Sequence, residues 1–445
     1  MKNSDFNNQL IHDIKILGFR RWLVSELTVA FYEARKNKIK TFNEHSYEVN
    51  WQENIIKLAD AILNCSYRPS PSVSFIIYEP MIREIFAAPF VDRVVHHLLF
   101  NLSGWWWDRR FIYDSYSCRE LKGTLFGIER IQKMMRCATY GGTKDAFILK
   151  NDIKGYFMSL PRLKCYERVV WGLDRQFGPV QFGTMSNIPP ELRKVYETCR
   201  FLWHEILMDD PAAKSRRRGP LSNWDDLPFS KSLYNRLPGE GIVIGNQTSQ
   251  LVSNIYLDQL DRFIKYDLGY KYYGRYVDDF IRIVGPDDYR KALSDAPIIR
   301  DYLDQALNLT LHPDKYYVQS VYRGVSFLGA RVYPYALRPS NRLQAKFRRA
   351  VKDFTRTGGK DANKRATFIS YLGLLRHLQA DKFVAEVFDQ YGLDFNLYLE
   401  SKLIDHRCFE EILDDLADNL NSNDDDDSEL SAQIVRRSQK TKSPL

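Results

Sequence analysis

Two adjacent aspartates lie between two apolar, β-rich segments, and this pattern restricts the folds open to the chain. Asp278 and Asp279 belong to YKYYGRYVDDFIRIV (residues 270–284). Arms of this composition predict a β-hairpin with both carboxylates at its tip. Paired aspartates more often occupy solvated turns, and the chain has another such pair at 209–210. The β-rich arms set the pair at 278 and 279 apart, so we expect it in a folded sheet.

A third carboxylate follows another strand signal. The apolar run 146–149 predicts a buried strand that ends near Asp152. Buried like charges are costly unless cations neutralise them, and Mg²⁺ prefers carboxylate oxygens. Two Mg²⁺ ions among Asp152, Asp278 and Asp279 would suit two-metal phosphoryl transfer, which requires no protein nucleophile.

Charge and composition indicate a folded protein with a polyanionic partner. The 445 residues are 44% hydrophobic and 14% aromatic, enough for a large core in about two to four compact units. The net charge of +8 combines +14 on residues 1–404, −10 on residues 405–429 and +4 on residues 430–445. A basic body of this size favours nucleic acid as partner, although many proteins carry one for solubility alone.

The cysteine spacing and the hydropathy pattern further narrow the class of protein to which the chain belongs. All six cysteines stand singly, without the paired spacing of a zinc site, and we expect reduced, buried thiols. No long uncharged apolar segment predicts a membrane span or a secretory signal, so we expect a soluble, cytoplasmic protein.

Five ordered motifs resemble those of reverse transcriptases. The stretch around 278, YGRYVDDF, resembles their Y-x-D-D signature, and FILKNDIKGYF resembles their first catalytic motif. The motif IGNQTSQ at 244–250 resembles a motif of bacterial enzymes from diversity-generating retroelements and of related defence-associated (unknown-group) reverse transcriptases. The segments at 79–97 and 114–119 also resemble the fingers region of that group of enzymes. The resemblance covers roughly residues 55–354.

The resemblance implies an α+β, right-handed polymerase fold with fingers, a palm with an antiparallel sheet, a helical thumb and a C-terminal extension. The implied domains are an N-terminal region with fingers (1–145), a palm (146–335) with an inserted ordered loop (205–240), a helical thumb and extension (336–404), and an acidic, partly disordered tail (405–445).

The resemblance also assigns the metal site. Asp152, Asp278 and Asp279 would bind two Mg²⁺ ions, with the backbone carbonyl of Ile153 as a further ligand. Phe157 matches the aromatic steric gate, which presses against C2′ of the incoming sugar and so favours deoxynucleotides. Packing in the core is the alternative for this ring.

Four further positions match nucleotide-handling residues of the family. Arg83 matches the fingers arginine that grips the triphosphate, a role suited to a planar, permanently charged donor. Gly245 would let the backbone approach the nascent base pair, and Gln250 would contact template or nucleotide. Lys315 matches the lysine near the leaving pyrophosphate and is a candidate proton donor; a solvated lysine is the alternative.

Two segments match regions that hold primer and template. Residues 325–329, with Phe327, Leu328 and Gly329, resemble the primer grip. Downstream, a predicted basic helix would track phosphates through its cationic stripe, which could instead be merely solvated. The stripe comprises Arg342, Lys346 and Arg349 among others.

The sequence therefore predicts an RNA-directed DNA polymerase that copies a structured noncoding RNA in antiviral defence. A diversity-generating reverse transcriptase remains open, as does a template-independent or protein-primed DNA polymerase. A nucleic-acid-binding subunit with an inactive palm is the non-enzyme alternative. The implied partners are the RNA template, nascent DNA, deoxynucleoside triphosphates, and a protein partner or second copy bound through the C-terminal extension; no membrane is expected.

Overall fold

The computed structural model describes residues 2–36, 42–79 and 81–403, with the side chains of 42–44 and 400 left out. The chain forms two compact units, which divide after Val321. This division precedes the palm boundary predicted at 335. The acidic tail predicted at 405–445 lies outside the described residues.

The first unit is a mixed helical and sheet structure. Its helices are α1 (Asn3–Leu17), α2 (Phe19–Arg35), α3 (Phe42–Val49), α4 (Trp51–Leu63), α5 (Phe90–Asp108), α6 (Thr124–Ala138), α7 (Tyr156–Ser159), α8 (Arg162–Gln176), α9 (Pro179–Phe182), α10 (Pro190–Met208), α11 (Pro211–Lys214), α12 (Gln247–Arg262) and α13 (Tyr289–Asp301). Its strands are β1 (Val73–Ile77), β2 (Arg83–Ala87), β3 (Phe147–Asp152), β4 (Arg216–Arg217), β5 (Tyr272–Tyr276), β6 (Asp279–Val284) and β7 (Tyr317–Ser320).

A four-stranded antiparallel sheet forms the centre of this unit, in the order β5-β6-β3-β7. Its buried side chains share one hydrophobic core with helices α5, α8 and α12. Helix α12 is buried on several faces, including its polar residues Asn254, Asp258 and Asp261. Buried polar groups need partners, and the partners of these three residues lie on strand β5, on the loop at Ser117, on helix α8 and on α12 itself.

A smaller sheet carries the predicted fingers hairpin, in the order β2-β1-β4. Strands β1 and β2 pair antiparallel, and the two-residue strand β4 joins β1 in parallel. Strand β4 belongs to segment 205–240, which we predicted as a long ordered loop. That prediction needs refinement, because the segment begins in α10 and also contains α11 and three short 3₁₀ turns.

The second unit begins with a three-stranded antiparallel sheet of β8 (Val325–Phe327), β9 (Ala330–Val332) and β10 (Leu337–Pro339). Four helices follow, α14 (Asn341–Arg356), α15 (Ala362–Leu375), α16 (Asp381–Gln390) and α17 (Asn396–Leu403). Ser340 caps α14 by accepting a hydrogen bond from the Leu343 amide at 3.2 Å. Phe347 and Phe354 project from one face of α14 and stack against Phe368 of α15.

The predicted α+β class with an antiparallel sheet is confirmed. The expectation of buried thiols is correct for Cys165 and Cys199 but wrong for Cys65, Cys118 and Cys137, which are exposed. Within the described ranges, no helix is long and apolar enough to cross a membrane.

Candidate catalytic centre

The three predicted carboxylates meet at one end of the central sheet. Asp152 is the last residue of β3 and lies directly opposite Asp279, the first residue of β6. Asp278 lies in the two-residue turn between β5 and β6. The amide of Ile153 donates a hydrogen bond to the carbonyl oxygen of Asp278 at 3.2 Å, which joins the end of β3 to that turn. The strand register thus brings together residues separated by more than a hundred positions in the sequence.

Burial and nearby negative charge disfavour ionisation of Asp278 and Asp279. Burial raises the pKa of Asp278 to about 6, and the charges of Asp152 and Asp279 add to the shift. Burial likewise raises the pKa of Asp279 to about 6, against the opposing influence of Lys150. The cluster therefore favours a cation, since a nearby positive charge stabilises the ionised forms.

Two lysines lie against the carboxylates. The Lys315 ammonium is 2.9 Å from an oxygen of Asp152, and the lysine side chain is 55% exposed. The Lys150 ammonium is 2.6 Å from an oxygen of Asp279 and is largely buried. We did not single out Lys150 from the sequence. A signal existed, because Lys150 precedes Asp152 by two residues on a strand and so projects from the same face.

The donor set suits Mg²⁺ in its chemistry. Carboxylate oxygens are the ligands that Mg²⁺ prefers, and Oδ1 of Asp279 is buried without a hydrogen-bond partner in the described structure. With the side chains as they lie, no three described His, Cys, Asp or Glu residues converge on one metal position. A bound ion would have to compete with Lys150 and Lys315 for the same oxygens.

Phe157 lies on the short helix that follows the β3 strand end. Gly155 begins this turn with a φ of +59, and the Phe157 carbonyl accepts a hydrogen bond from the Ile242 amide at 2.8 Å. The adjacent Tyr156 hydroxyl donates to the Ser253 carbonyl at 2.6 Å. The Phe157 ring is partly buried against the core, so both its predicted gate role and simple packing remain compatible with its position.

The motif at 244–250 contacts the fingers hairpin. The amide of Phe86 on β2 donates to the Ile244 carbonyl at 3.3 Å. Gly245 has a φ of +126, and a Cβ there would lie 3.4 Å from the Phe86 carbonyl. The backbone conformation therefore favours glycine at this position. Gln250 is exposed in the first turn of α12.

Arg83 is exposed at the start of β2, and the structure gives it no hydrogen bond or ion pair to another described side chain. A guanidinium in that position is available for an anionic ligand. Its predicted contact with the triphosphate stays a prediction.

The predicted primer and template residues lie in the second unit. Phe327 is buried, and Leu328 and Gly329 form the β8–β9 turn with positive φ at both positions, as a type I′ turn requires. On α14, the basic side chains lie opposite the buried aromatic face. Arg342 and Arg349 are exposed and Lys346 is half-buried. Their nucleic-acid contacts stay a prediction.

Comparison with known proteins gives only distant likenesses. No protein-family model matches this chain, and no curated protein matches it. Similar solved structures include apo telomerase from Candida tropicalis, at 10% identity and a TM-score of 0.43 over 79% of this chain and 62% of that one. Telomerase from Candida albicans in complex with the TWJ fragment of telomeric RNA is 11% identical, with a TM-score of 0.43 over 90% of this chain and 69% of that one. This chain thus spans under two thirds of the Candida tropicalis apo protein.

Proposed function

We propose that this protein is an RNA-directed DNA polymerase that makes complementary DNA by two-metal nucleotidyl transfer. One observation carries the proposal. Asp152 and Asp279 face each other across two antiparallel strands, and Asp278 occupies the adjoining turn. The sequence around each aspartate resembles a reverse-transcriptase motif, so the fold brings together the residues that the resemblance assigns to one site.

Asp152, Asp278 and Asp279 would hold the two Mg²⁺ ions, with the Ile153 carbonyl as a further ligand. When bound, the ions would lower the pKa of a primer 3′-hydroxyl and stabilise the leaving pyrophosphate. The raised pKa of Asp278 supports this assignment, because a site that repels its own negative charge gains most from a cation.

Other side chains would orient the reactants. The Lys315 side chain, 55% exposed, would leave Asp152 and donate a proton to the departing pyrophosphate. Arg83 would bind the triphosphate, and Phe157 would exclude the ribose 2′-hydroxyl. Gly245 and Gln250 would lie beside the nascent base pair. The α14 basic stripe and the hairpin at 325–329 would bind primer and template.

The template in this proposal is a structured noncoding RNA, and the biological context is antiviral defence. Helices α15 to α17 support that context, because they extend the chain beyond the α14 thumb helix and offer surface for RNA or a protein partner. Retroelement diversification is the competing context. Neighbouring genes that encode a variable protein with a template repeat would favour it.

The test is to express the protein with its native flanking DNA and to sequence the RNA and DNA that copurify. The comparison variant is Asp278→Ala with Asp279→Ala. A matched control is Asp225→Ala with Asp226→Ala, which removes the same charge from an exposed pair. We expect a discrete RNA with complementary DNA from the wild type and the control, and no DNA from the 278/279 variant.

Each other outcome contradicts part of the proposal. DNA of simple repetitive sequence without a complementary RNA would indicate template-independent synthesis. DNA from the 278/279 variant would refute the metal assignment. Absence of DNA from every protein, with RNA still bound, would favour a binding subunit with an inactive palm.

A further inference from the structure

Val277, in the turn that carries Asp278, has a strained backbone. Its φ is +56, in the left-handed region that β-branched residues rarely adopt. Such a conformation persists only where surrounding contacts hold it, and it often marks a functional site. The hydrogen bonds of the Val277 amide and carbonyl groups show what holds this backbone conformation.

Two buried side chains bind the peptide groups of Val277. The Val277 amide donates a hydrogen bond to the Ser117 hydroxyl oxygen at 3.2 Å. The Val277 carbonyl accepts one from Nη1 of Arg275 at 2.8 Å. Together with the bond from the Ile153 amide to the Asp278 carbonyl, these contacts fix the backbone on both sides of the Asp278 side chain.

Arg275 is itself held rigidly. Its side chain is fully buried, and its Nε and Nη2 atoms each lie 2.7 Å from an oxygen of Asp261 on α12. Its other donors reach Asn254 at 3.2 Å, Ser115 at 3.3 Å and the Val277 carbonyl. All five N–H donors of the guanidinium are thereby used. The guanidinium that binds the Val277 carbonyl is therefore fixed in position by its other hydrogen bonds.

Stability alone is a poor explanation for this network. A buried ion pair is costly to desolvate, and well-packed apolar residues often replace one without loss of stability. Here the network ends on the one strained peptide next to a carboxylate of the candidate catalytic centre. Ser117 reaches the same peptide from the loop at 114–119. The side-chain amide of Asn254 on α12 donates a hydrogen bond to the Ser117 carbonyl at 2.8 Å and joins this loop to α12.

We propose that Arg275 and Ser117 are positioning residues that keep the Val277 turn, and with it the Asp278 carboxylate, in the conformation that nucleotidyl transfer needs. The inference rests on the proposed polymerase function. Neither side chain would touch substrate; both act through the peptide groups of Val277.

Ser117 offers the cleaner test. Loss of Arg275 would leave Asp261 charged, buried and without its ion-pair partner, and unfolding would then hide any effect on catalysis. Ser117→Ala removes only a hydroxyl group. Ser103→Ala is a matched control, because Ser103 is equally buried and its hydroxyl donates to the Leu99 carbonyl within α5 at 2.7 Å.

The Ser117 hydroxyl accepts from the Val277 amide and donates to Oδ1 of Asn254 at 3.3 Å. We expect Ser117→Ala to lower kcat for deoxynucleotide incorporation about threefold to tenfold, the worth of the hydrogen bond to the Val277 amide, and to leave KM unchanged. Ser103→Ala should leave both constants unchanged. Hydrogen exchange by mass spectrometry gives a readout independent of activity. The Val277 amide should exchange faster in Ser117→Ala and at the wild-type rate in Ser103→Ala.

Three results would overturn the inference: unchanged exchange at Val277, faster exchange without a loss of kcat, or an equal loss of kcat in both variants. The polymerase function fails separately. If the wild type makes no DNA, that function is refuted, and the exchange measurement still reports whether Ser117 holds the turn.

Discussion

Asp278→Asn should make the metal-free protein more stable while abolishing DNA synthesis. The Asp278 carboxyl has a pKa of about 6 in the folded protein against an ordinary value of 3.8. A raised pKa means that the folded state holds the proton more tightly than the unfolded state, so ionisation at neutral pH costs folding free energy. Asparagine keeps the shape of the side chain and carries no charge. It therefore avoids that cost.

The size of the gain follows from the shift. One pKa unit corresponds to about 1.4 kcal/mol, so the variant should gain about 3 kcal/mol in free energy of unfolding at pH 7.5. At pH 4.5 the folded carboxyl is already protonated and the gain should fall to about 1 kcal/mol. Asp279→Asn should gain about as much at pH 7.5, because the pKa of Asp279 is also about 6 and already includes the opposing influence of the Lys150 ammonium at 2.6 Å.

Urea denaturation with a chelator, followed by tryptophan fluorescence, measures this gain. All eight tryptophans lie before residue 322, so their emission reports on the first unit. Added Mg²⁺ should then stabilise the wild type more than the variant, because only the wild type keeps the full ligand set. The reasoning is refuted if the variant is no more stable than the wild type at pH 7.5, or if its gain is the same at both pH values.

Three further changes test the site and the packing of the helices. Phe157→Val should admit ribonucleotides, with the preference for deoxynucleotides in kcat/KM falling about tenfold or more; unchanged discrimination would remove the gate role. Gly172→Ala should lower the free energy of unfolding by about 1–3 kcal/mol, because its Cβ would lie within 2.7 Å of the buried Trp107 ring. Gly373→Ala, at a helical position with open space in the second unit, should instead raise it by about 0.4–1 kcal/mol in a urea titration followed by far-ultraviolet circular dichroism. A Gly172 variant as stable as wild type would contradict this packing.

The strand positions of the candidate site were predictable because local pattern determines them. The β-rich arms around 278 and the apolar run before Asp152 each predict a strand and its carboxylate end, and both strands form. The basic helix at 341 was predictable for the same reason, since its apolar residues recur every three or four positions. Patterns of this kind involve residues close together in the chain.

The groups that support the site were not predictable in the same way. Ser117 and Arg275 bind the peptide groups of the same residue, Val277, only because α12 and two distant segments pack together, and nothing in their local sequence indicates that arrangement. Strand β4 was missed for a related reason. Two arginines have no strand pattern of their own, and Arg216 joins β1 through tertiary pairing with Val73.

The parallel pairing of β4 with β1 also bears on self-association. A β-hairpin with a bare edge presents unpaired N–H and C=O groups, which can recruit a strand from another molecule. Here the amides of Arg216 and Arg218 bind the carbonyls of Ser72 and Ser74, at 2.9 Å and 2.8 Å, and cover that edge of β1. The new edge is only two residues long and carries exposed arginines. Segment 205–240 thereby protects the hairpin from aggregation, because a second copy would meet a short edge of like charge.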